Sequence, residues 1–356
     1  MHMAKILIIN PGSSSTKLAL YNNDELINEI TIRHKKEITN NDNVYMEKDF
    51  RLSLIEEYLK NNNIELKDID IFVGRGGLLR PISSGTYLVN QKMVEELKLA
   101  KYGNHASNLG AILAYELANI NGKPAYIVDP VVVDEMADIA RVSGYKGLER
   151  ISIFHALNQK AVGRLYAKDI NKRYEDLNLI ITHLGSGISI GMHKQGKVVD
   201  VNNALSGDGP FSSERSGTLP TFQLIDLCFN SGKTADEIKK MIVGNGGLVS
   251  YLNTNNGLEI RNRVDAGDKE ASFYMEAMAY QIAKEIGALY FAYAGKVDAV
   301  ILTGGLANYD TLVEMIKTYT SEIVNTVVYP GEDEMNALVN GVLRIINKEE
   351  ELKYYD

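Results

Sequence analysis

A chain of 356 residues with 45% hydrophobic and 24% charged content is large enough for two globular domains, each with its own core. The formal net charge of −8 argues against a nucleic-acid partner, which needs a basic face, but leaves an anionic substrate open because local charge in a pocket outweighs the sum. The single cysteine, Cys228, excludes an intrachain disulfide and a cysteine metal site, and fits a reducing cytoplasm; in the apolar context LIDLCFN it reads as a buried bystander. No apolar run approaches the ~18 residues needed to span a bilayer and no signal-peptide pattern is present, so no membrane partner is expected.

In chain order, KILIINPGSSSTKLAL comes first. Ile6–Ile9 reads as a short buried strand, the chain breaks at Asn10-Pro11-Gly12, and Leu18–Tyr21 returns as a second strand. Leu26–Ile30 makes a third. A Gly/Ser tip lets backbone N–H groups approach an anion, hydroxyls add donors, and Lys17 adds charge. A helix follows over 50–61, then a strand, Ile69–Val73, which delivers Gly74-Arg75-Gly76-Gly77. Helices are predicted over 91–99 and from about Asn108 to Ile120. Pro124–Val128 is a strand that ends at Asp129-Pro130. Arg75 and Asp129 stand just past strand ends, where ligands sit in open α/β sheets.

The stretch 134–152 is irregular and reads as the crossover between domains. A helix opens at Ile153-Phe154-His155. LIITHLGSGISIGMHKQGKVVD then repeats the opening pattern: a strand, His183, the turn Gly185-Ser186-Gly187, a returning strand and a third strand. An internal duplication of a strand–turn–strand meander with a phosphate-sized tip points to a nucleotide gripped by two similar domains. The polar loop 204–217 carries Arg215, and long polar loops inside compact domains are usually functional. Helices follow over 221–228, 234–243 and 269–294. The stripe Phe273, Ala277, Tyr280, Ile282, Ile286 and Leu289 on the last reads as core. Val297–Leu302 ends in Gly304-Gly305, a turn that lets backbone approach a flat ligand. A final strand, Val324–Tyr329, leads to Glu332-Asp333-Glu334 and a terminal helix.

These stretches, in order, resemble the actin/Hsp70/sugar-kinase/acetate-kinase superfamily. The motifs are IINPGSSSTKLALY, VGRGGLLRPISSGTY, GNHASNLGA, IVDPVVVDEM, IFHALNQKAVGR, THLGSGISIG, SGDGPFSSERSGTLP, ILTGGLA and YPGEDEM. Within the superfamily they are similar to the carboxylate kinases, and VGRGGLL, HASNLGA and DGPFSSERSG resemble the butyrate kinase type rather than the acetate type.

The resemblance implies an α/β fold: a two-lobed, duplicated actin-like (ribonuclease H-like) ATPase with an interdomain cleft. The domains would be 1–140 and 141–334, with the C-terminal helix packed back on the first. It also implies a cytoplasmic homo-oligomer, at least a dimer, that moves a phosphoryl group reversibly between ATP/ADP and a short-chain fatty acid with Mg²⁺.

By the same resemblance Asn10, Ser13, Ser15 and Lys17 form the first phosphate loop, and His183, Gly185, Ser186 and Gly187 the second. Gly304 and Gly305 bind adenosine. Arg75 holds the acid, His155 faces the γ-phosphate and Arg215 steadies the transferring group. Asp129 stands near the metal; Asn10, Asp129, Glu332 and Glu334 are the Mg²⁺ candidates. Two departures from the acetate type are Ser186, where that type has Asn, and the histidine of that type, which aligns with Asn104 rather than His105.

The chemistry is consistent with these residues. A carboxylate is already nucleophilic, so no base is needed, and the obstacle is charge repulsion, which arginines relieve. The alternatives are a related acetate, propionate or sugar kinase, or a non-catalytic nucleotide switch.

Overall fold

The computed structural model describes residues 4–34 and 43–356. The chain forms two compact units, one of residues up to Asp134 together with Asp333–Asp356, the other Glu135–Glu332.

In the first unit β1 (Lys5–Pro11), β2 (Ser15–Asn22) and β3 (Glu25–Arg33) form an antiparallel meander. Then come α1 (Lys48–Asn61), β4 (Ile71–Arg75), β5 (Thr86–Leu88), α2 (Gln91–Lys98), α3 (Asn108–Asn121) and β6 (Ala125–Val128). β4 lies parallel to β1, and β6 parallel to β4. Ile6 to Ile9 are wholly buried, as an apolar β-branched run in a central strand should be.

β1 does not end at Ile9. Asn10 pairs with Lys17 and Pro11 with Thr16, so only Gly12–Ser14 turn, closed by the Gly12 N–H donating to the Ser15 carbonyl at 2.8 Å. Pro11 is tolerated because it lies past the last β1–β4 pair, Ile9–Gly74, where its missing N–H leaves no bond unmade on that side.

The second unit begins with the single turn α4 (Asp138–Arg141) and α5 (Ala156–Asp169). A second antiparallel meander follows, β7 (Asn178–Leu184), β8 (Ile188–Lys194) and β9 (Lys197–Val201). Helices α6 (Thr221–Asn230), α7 (Ala235–Ile242), α8 (Leu248–Leu252), α9 (Gly257–Asp265) and α10 (Lys269–Ala292) come next. They lead to β10 (Ala299–Gly304), α11 (Asp310–Thr320) and β11 (Thr326–Pro330). The chain then returns to the first unit with α12 (Glu334–Ile346) and β12 (Lys353–Tyr354).

The sheet orders are β12-β5-β6-β4-β1-β2-β3 and β11-β10-β7-β8-β9. The second order therefore reproduces β6-β4-β1-β2-β3 strand for strand. Even the irregularities correspond: the register shifts at Leu20/Tyr21 and at Met192/His193, each just before a turn with a left-handed residue, Asn23 (φ 54°) and Gln195 (φ 52°).

Two expectations change. Of the stripe on α10, Ile282, Ile286 and Leu289 are buried and Ala277 packs against the core as expected, but Phe273 and Tyr280 are 62% and 50% exposed, and Ala271, Met275, Met278 and Ala279 complete the buried face. Phe273 and Tyr280 lie on the opposite side of the helix from Ile282, beside Lys269, Glu276 and Lys284. Cys228 is exposed, because α6 buries none of its residues within this chain.

Backbone contact sets the position of β4. A Cβ on Gly110 of α3 would overlap the Arg75 carbonyl oxygen and stand 2.7 Å from the Arg75 nitrogen. Gly110→Ala should therefore lower unfolding free energy by about 1–3 kcal/mol through overpacking. Gly144→Ala, where a Cβ meets nothing, should change it by less than about 0.5 kcal/mol. Denaturant midpoints of the two variants check the difference.

Candidate functional site

The carboxyl ends of β1 and β4 and the first turn of α12 bring three polar side chains together. Glu334 forms an ion pair with Arg75 Nη1, and its other oxygen accepts from Asn10 Nδ2 at 2.7 Å. Arg75 Nη1 also donates to Asn10 Oδ1 at 3.5 Å. Asn10 is 3% exposed. No hydrogen bond from Arg75 Nε or Nη2 occurs among the described residues, and the side chain is a quarter exposed. Lys17 stands directly across the ladder from Asn10, on the same face, and makes no ion pair among the described residues. Ser13 is exposed at the turn and Ser15 half-buried at the start of β2.

The glycines around Arg75 are steric requirements. A Cβ on Gly76 would lie 2.5 Å from Pro130, and one on Gly77 2.5 Å from Asn108. Asn108 in turn accepts from the Leu78 N–H at 2.8 Å and donates to the Gly103 carbonyl at 2.8 Å. Thus VGRGGLL and HASNLGA are packed on each other. His105 folds back on Ser107, Nδ1 to Oγ 2.8 Å, at the entry to α3.

Asp129 is buried, with φ +38°. Its Oδ1 accepts from Ser84 Oγ at 2.6 Å and from the Gly85 N–H at 2.8 Å. It holds the loop 83–86, which the C-terminal segment also grips: Lys353 Nζ donates to Ser83 Oγ at 2.9 Å. Among the described residues no group of three or more His, Cys, Asp or Glu is arranged to hold a metal ion. The hard oxygen donors of Asn10 and Glu334 nevertheless suit Mg²⁺, which takes one or two protein carboxylates and fills its shell with phosphate oxygens and water.

In the second unit His155, the residue before α5, stacks on His183 at the end of β7, with centroids 3.7 Å apart and planes 9° from parallel. His155 Nδ1 lies 2.9 Å from Ser189 Oγ, His183 Nδ1 2.7 Å from Asn158 Oδ1, and His183 Nε2 3.2 Å from Glu332 Oε1. Glu332 is thus engaged by His183, and Glu334 by Arg75, although only Asp333 separates them; Asp333 caps α12 by accepting from the Asn336 N–H at 3.1 Å.

Arg215 lies against Gly187. Any Cβ there would overlap its guanidinium, and Arg215 Nη1 donates to the Ala204 carbonyl. Ser212 Oγ donates to the Ser186 carbonyl at 2.5 Å and accepts from the Arg215 N–H at 3.2 Å, which ties the arginine loop to the turn Gly185–Gly187. Burial lowers the Arg215 pKa, partly offset by Glu214.

Gly304, at φ 89°, is needed for a protein contact: a Cβ would crowd the Leu184 backbone. At Gly305 a Cβ would meet nothing, so that residue is where the turn stays open.

Arg51 is a residue that sequence reasoning misses. It is wholly buried on α1. Nη1 donates to the Ser15 carbonyl at 3.0 Å and Thr16 Oγ1 at 2.9 Å, Nη2 to the Gly12 carbonyl at 2.9 Å, and Nε and Nη2 to Glu47 at 2.9 and 2.6 Å. By binding the carbonyls of the Gly12–Ser15 turn it fixes the turn's shape. The only local signal is the i, i+4 Glu47–Arg51 spacing.

A model of the Acetokinase family matches residues 141–350. Among solved structures the chain is similar to the acetate kinase of Porphyromonas gingivalis, at 20% identity and TM-score 0.79 over 96% of this chain and 100% of that one. It is also similar to a propionate kinase from Francisella tularensis subsp. tularensis SCHU S4 (21%, TM-score 0.76, 95% and 98% covered). The acetate kinase of Entamoeba histolytica gives 18%, TM-score 0.75, with 95% and 98% covered. At these identities the likeness shows the fold, which is the actin-like one.

Arg51→Met leaves Glu47 buried without its partner and should cost about 3–5 kcal/mol of stability. The double change Arg51→Met with Glu47→Leu should recover most of that; if the turn is the phosphate loop that the sequence resemblance implies, pyrophosphate should still bind more weakly than to the unaltered chain, because the turn carbonyls stay unheld. Denaturant midpoints and titration calorimetry separate the two effects.

Proposed function

The chain belongs to the Acetokinase family and is an ATP-binding carboxylate kinase; on that premise we propose that it works with Mg²⁺ and that its acid is butyrate or a branched-chain relative. The observation that carries this reading is the mutual packing of VGRGGLL and HASNLGA around Arg75, since these are stretches in which the chain resembles the butyrate kinase type.

Arg75 anchors the acid through its Nε and Nη2 edge, a planar two-donor fork matched to a carboxylate. Its Nη1 is held by Glu334 and Asn10, which aims that edge. The turn Gly12–Ser14 with Ser13, Ser15 and Lys17, and the turn Gly185–Gly187, cradle the phosphates. The open Gly305 side of the β10 turn takes adenosine. The acid oxygen attacks the γ-phosphorus in line as the bond to the ADP oxygen breaks, and no proton need move. His155 and Arg215 meet the equatorial oxygens of the phosphoryl group in transit. Asn10 and Glu334, with Asp129, would hold Mg²⁺. The ion, when bound, offsets phosphate charge.

The chain is further proposed to act as a homo-oligomer. Phe222 and Phe229 on α6 are each 83% exposed, and Phe273 and Phe291 on α10 are 62% and 75% exposed. Apolar side chains so exposed on two helices of one unit suit a subunit interface.

With ATP, Mg²⁺, hydroxylamine and straight and branched acids of about two to five carbons, hydroxamate should form fastest with four-carbon acids. A maximum at acetate would remove the butyrate reading. Arg75→Ala should raise KM for the acid with little change in ATP affinity, whereas Arg215→Ala should lower kcat by about 10³ or more. Equal loss of ATP affinity in both would contradict this division of roles.

Sedimentation velocity should show a dimer or larger, reduced to monomer by Phe222→Asp with Phe229→Asp. A monomeric unaltered chain would remove the oligomer reading.

A further inference from the structure

A chain of buried polar side chains runs through the second unit and ends on His155. Tyr174 OH lies 2.6 Å from His193 Nδ1, and His193 Nε2 lies 2.8 Å from Gln159 Oε1. Gln159 Nε2 donates to the Ser189 carbonyl at 3.0 Å and to Ser189 Oγ at 2.8 Å. Ser189 Oγ lies 2.9 Å from His155 Nδ1. Gln159, Ser189 and His193 are each 0% exposed, so every donor in the chain must find an acceptor within it.

The direction of each bond follows from one fixed point. A carbonyl oxygen only accepts, so the Ser189 carbonyl requires the amide nitrogen of Gln159 on its side; the flipped amide would set two acceptors 3.0 Å apart. With the amide so placed, Gln159 Oε1 faces His193, and His193 Nε2 carries the proton. Its Nδ1 then accepts from Tyr174 OH. Burial, with Lys160 and Arg164 nearby, holds the His193 pKa well below the ordinary imidazole value, which agrees with a neutral ring.

In the other direction Ser189 Oγ accepts from Gln159 Nε2 and from the His155 backbone N–H at 3.5 Å, which fills both of its lone pairs, so its own hydrogen goes to His155 Nδ1. His155 Nδ1 is thereby an acceptor, and the ring proton sits on Nε2. Gly191 leaves room for this arrangement, since a Cβ there would lie 2.6 Å from Gln159 Oε1.

We infer that Gln159, acting through Ser189, is a positioning residue that holds His155 as its Nε2–H tautomer, so that the ring donates to an oxygen of the phosphoryl group in transit. The donating role rests on the reading above, in which His155 faces that group; the tautomer itself does not. A neutral imidazole that presented a lone pair instead would repel an anionic oxygen. The relay therefore decides whether His155 assists or opposes transfer.

Gln159→Glu tests this at similar volume, at the cost of setting a carboxylate oxygen against the Ser189 carbonyl, and Ser189→Ala tests it without that repulsion. A carboxylate accepts on both oxygens, so the Ser189 hydroxyl turns toward it and leaves His155 Nδ1, which then takes up the ring proton and donates to Ser189 Oγ. Long-range proton–nitrogen NMR of the full chain labelled with ¹⁵N-histidine, with His155 assigned by His155→Asn, reads the tautomer without turnover. The expected result is Nε2–H in the unaltered chain and a shift to Nδ1–H in Gln159→Glu, with kcat lowered about 10- to 100-fold and KM for ATP within about twofold. Ser189→Ala, which removes the donor to Nδ1 at less structural risk, should give a tautomer mixture. An Nδ1–H ring in the unaltered chain, or an unchanged tautomer in both variants, would overturn the relay. A switched tautomer with unchanged kcat would keep the relay and remove His155 from the transfer step.

Discussion

One carboxylate organises the polar end of the first unit. Glu334 grips Arg75 with one oxygen and Asn10 with the other, and so ties the ends of β4 and β1 to the start of α12. The three residues lie far apart in sequence, and each is delivered by an element whose own residues are buried. An arginine at a strand end would otherwise be a long chain with many rotamers. Held at Nη1 by a carboxylate and an amide, it presents one edge. Ordering that would cost a mobile side chain about 2 kcal/mol of rotamer freedom is then already in place, which suits the acid-anchoring role proposed for it.

The second unit uses a different device at the corresponding place. Its meander repeats the first, but the strand end carries His183, not asparagine. The stacked pair of imidazoles is held by serine, asparagine and glutamate side chains. Arg215 reaches its turn from a distant loop and fits because position 187 has no Cβ. Duplication has kept the strand order and even the register shifts, while the polar groups at the tips have diverged.

Glycine has separable uses here. Gly74 and Gly110 permit backbone-to-backbone contact between β4 and α3, Gly187 admits a guanidinium, and Gly304 takes up a left-handed conformation against Leu184. At Gly305, by contrast, an added Cβ meets nothing. A glycine-rich motif therefore does not by itself mark ligand contact. Most of these glycines serve close packing within the protein.

Much was decided locally and could be read from the sequence. The apolar β-branched runs, the Gly/Ser turns and their repetition set the strands, the meanders and the duplicated α/β order, because strand formation answers to short-range patterning. Arg75, Asp129, His183 and Arg215 could be singled out because each follows a strand or sits in a polar glycine-rich loop. The rest depended on tertiary structure. Arg51 binds carbonyls of residues 12 and 15, and Gln159 binds residues 189 and 193, separations over which no local pattern carries information. The buried face of α10 and the exposure of Cys228 were settled by which neighbours exist, since α10 carries aromatic side chains on its exposed side as well and α6 buries none of its residues. Pattern selects the element; only the packed surroundings select which of its faces is buried and where a buried polar group finds its partner.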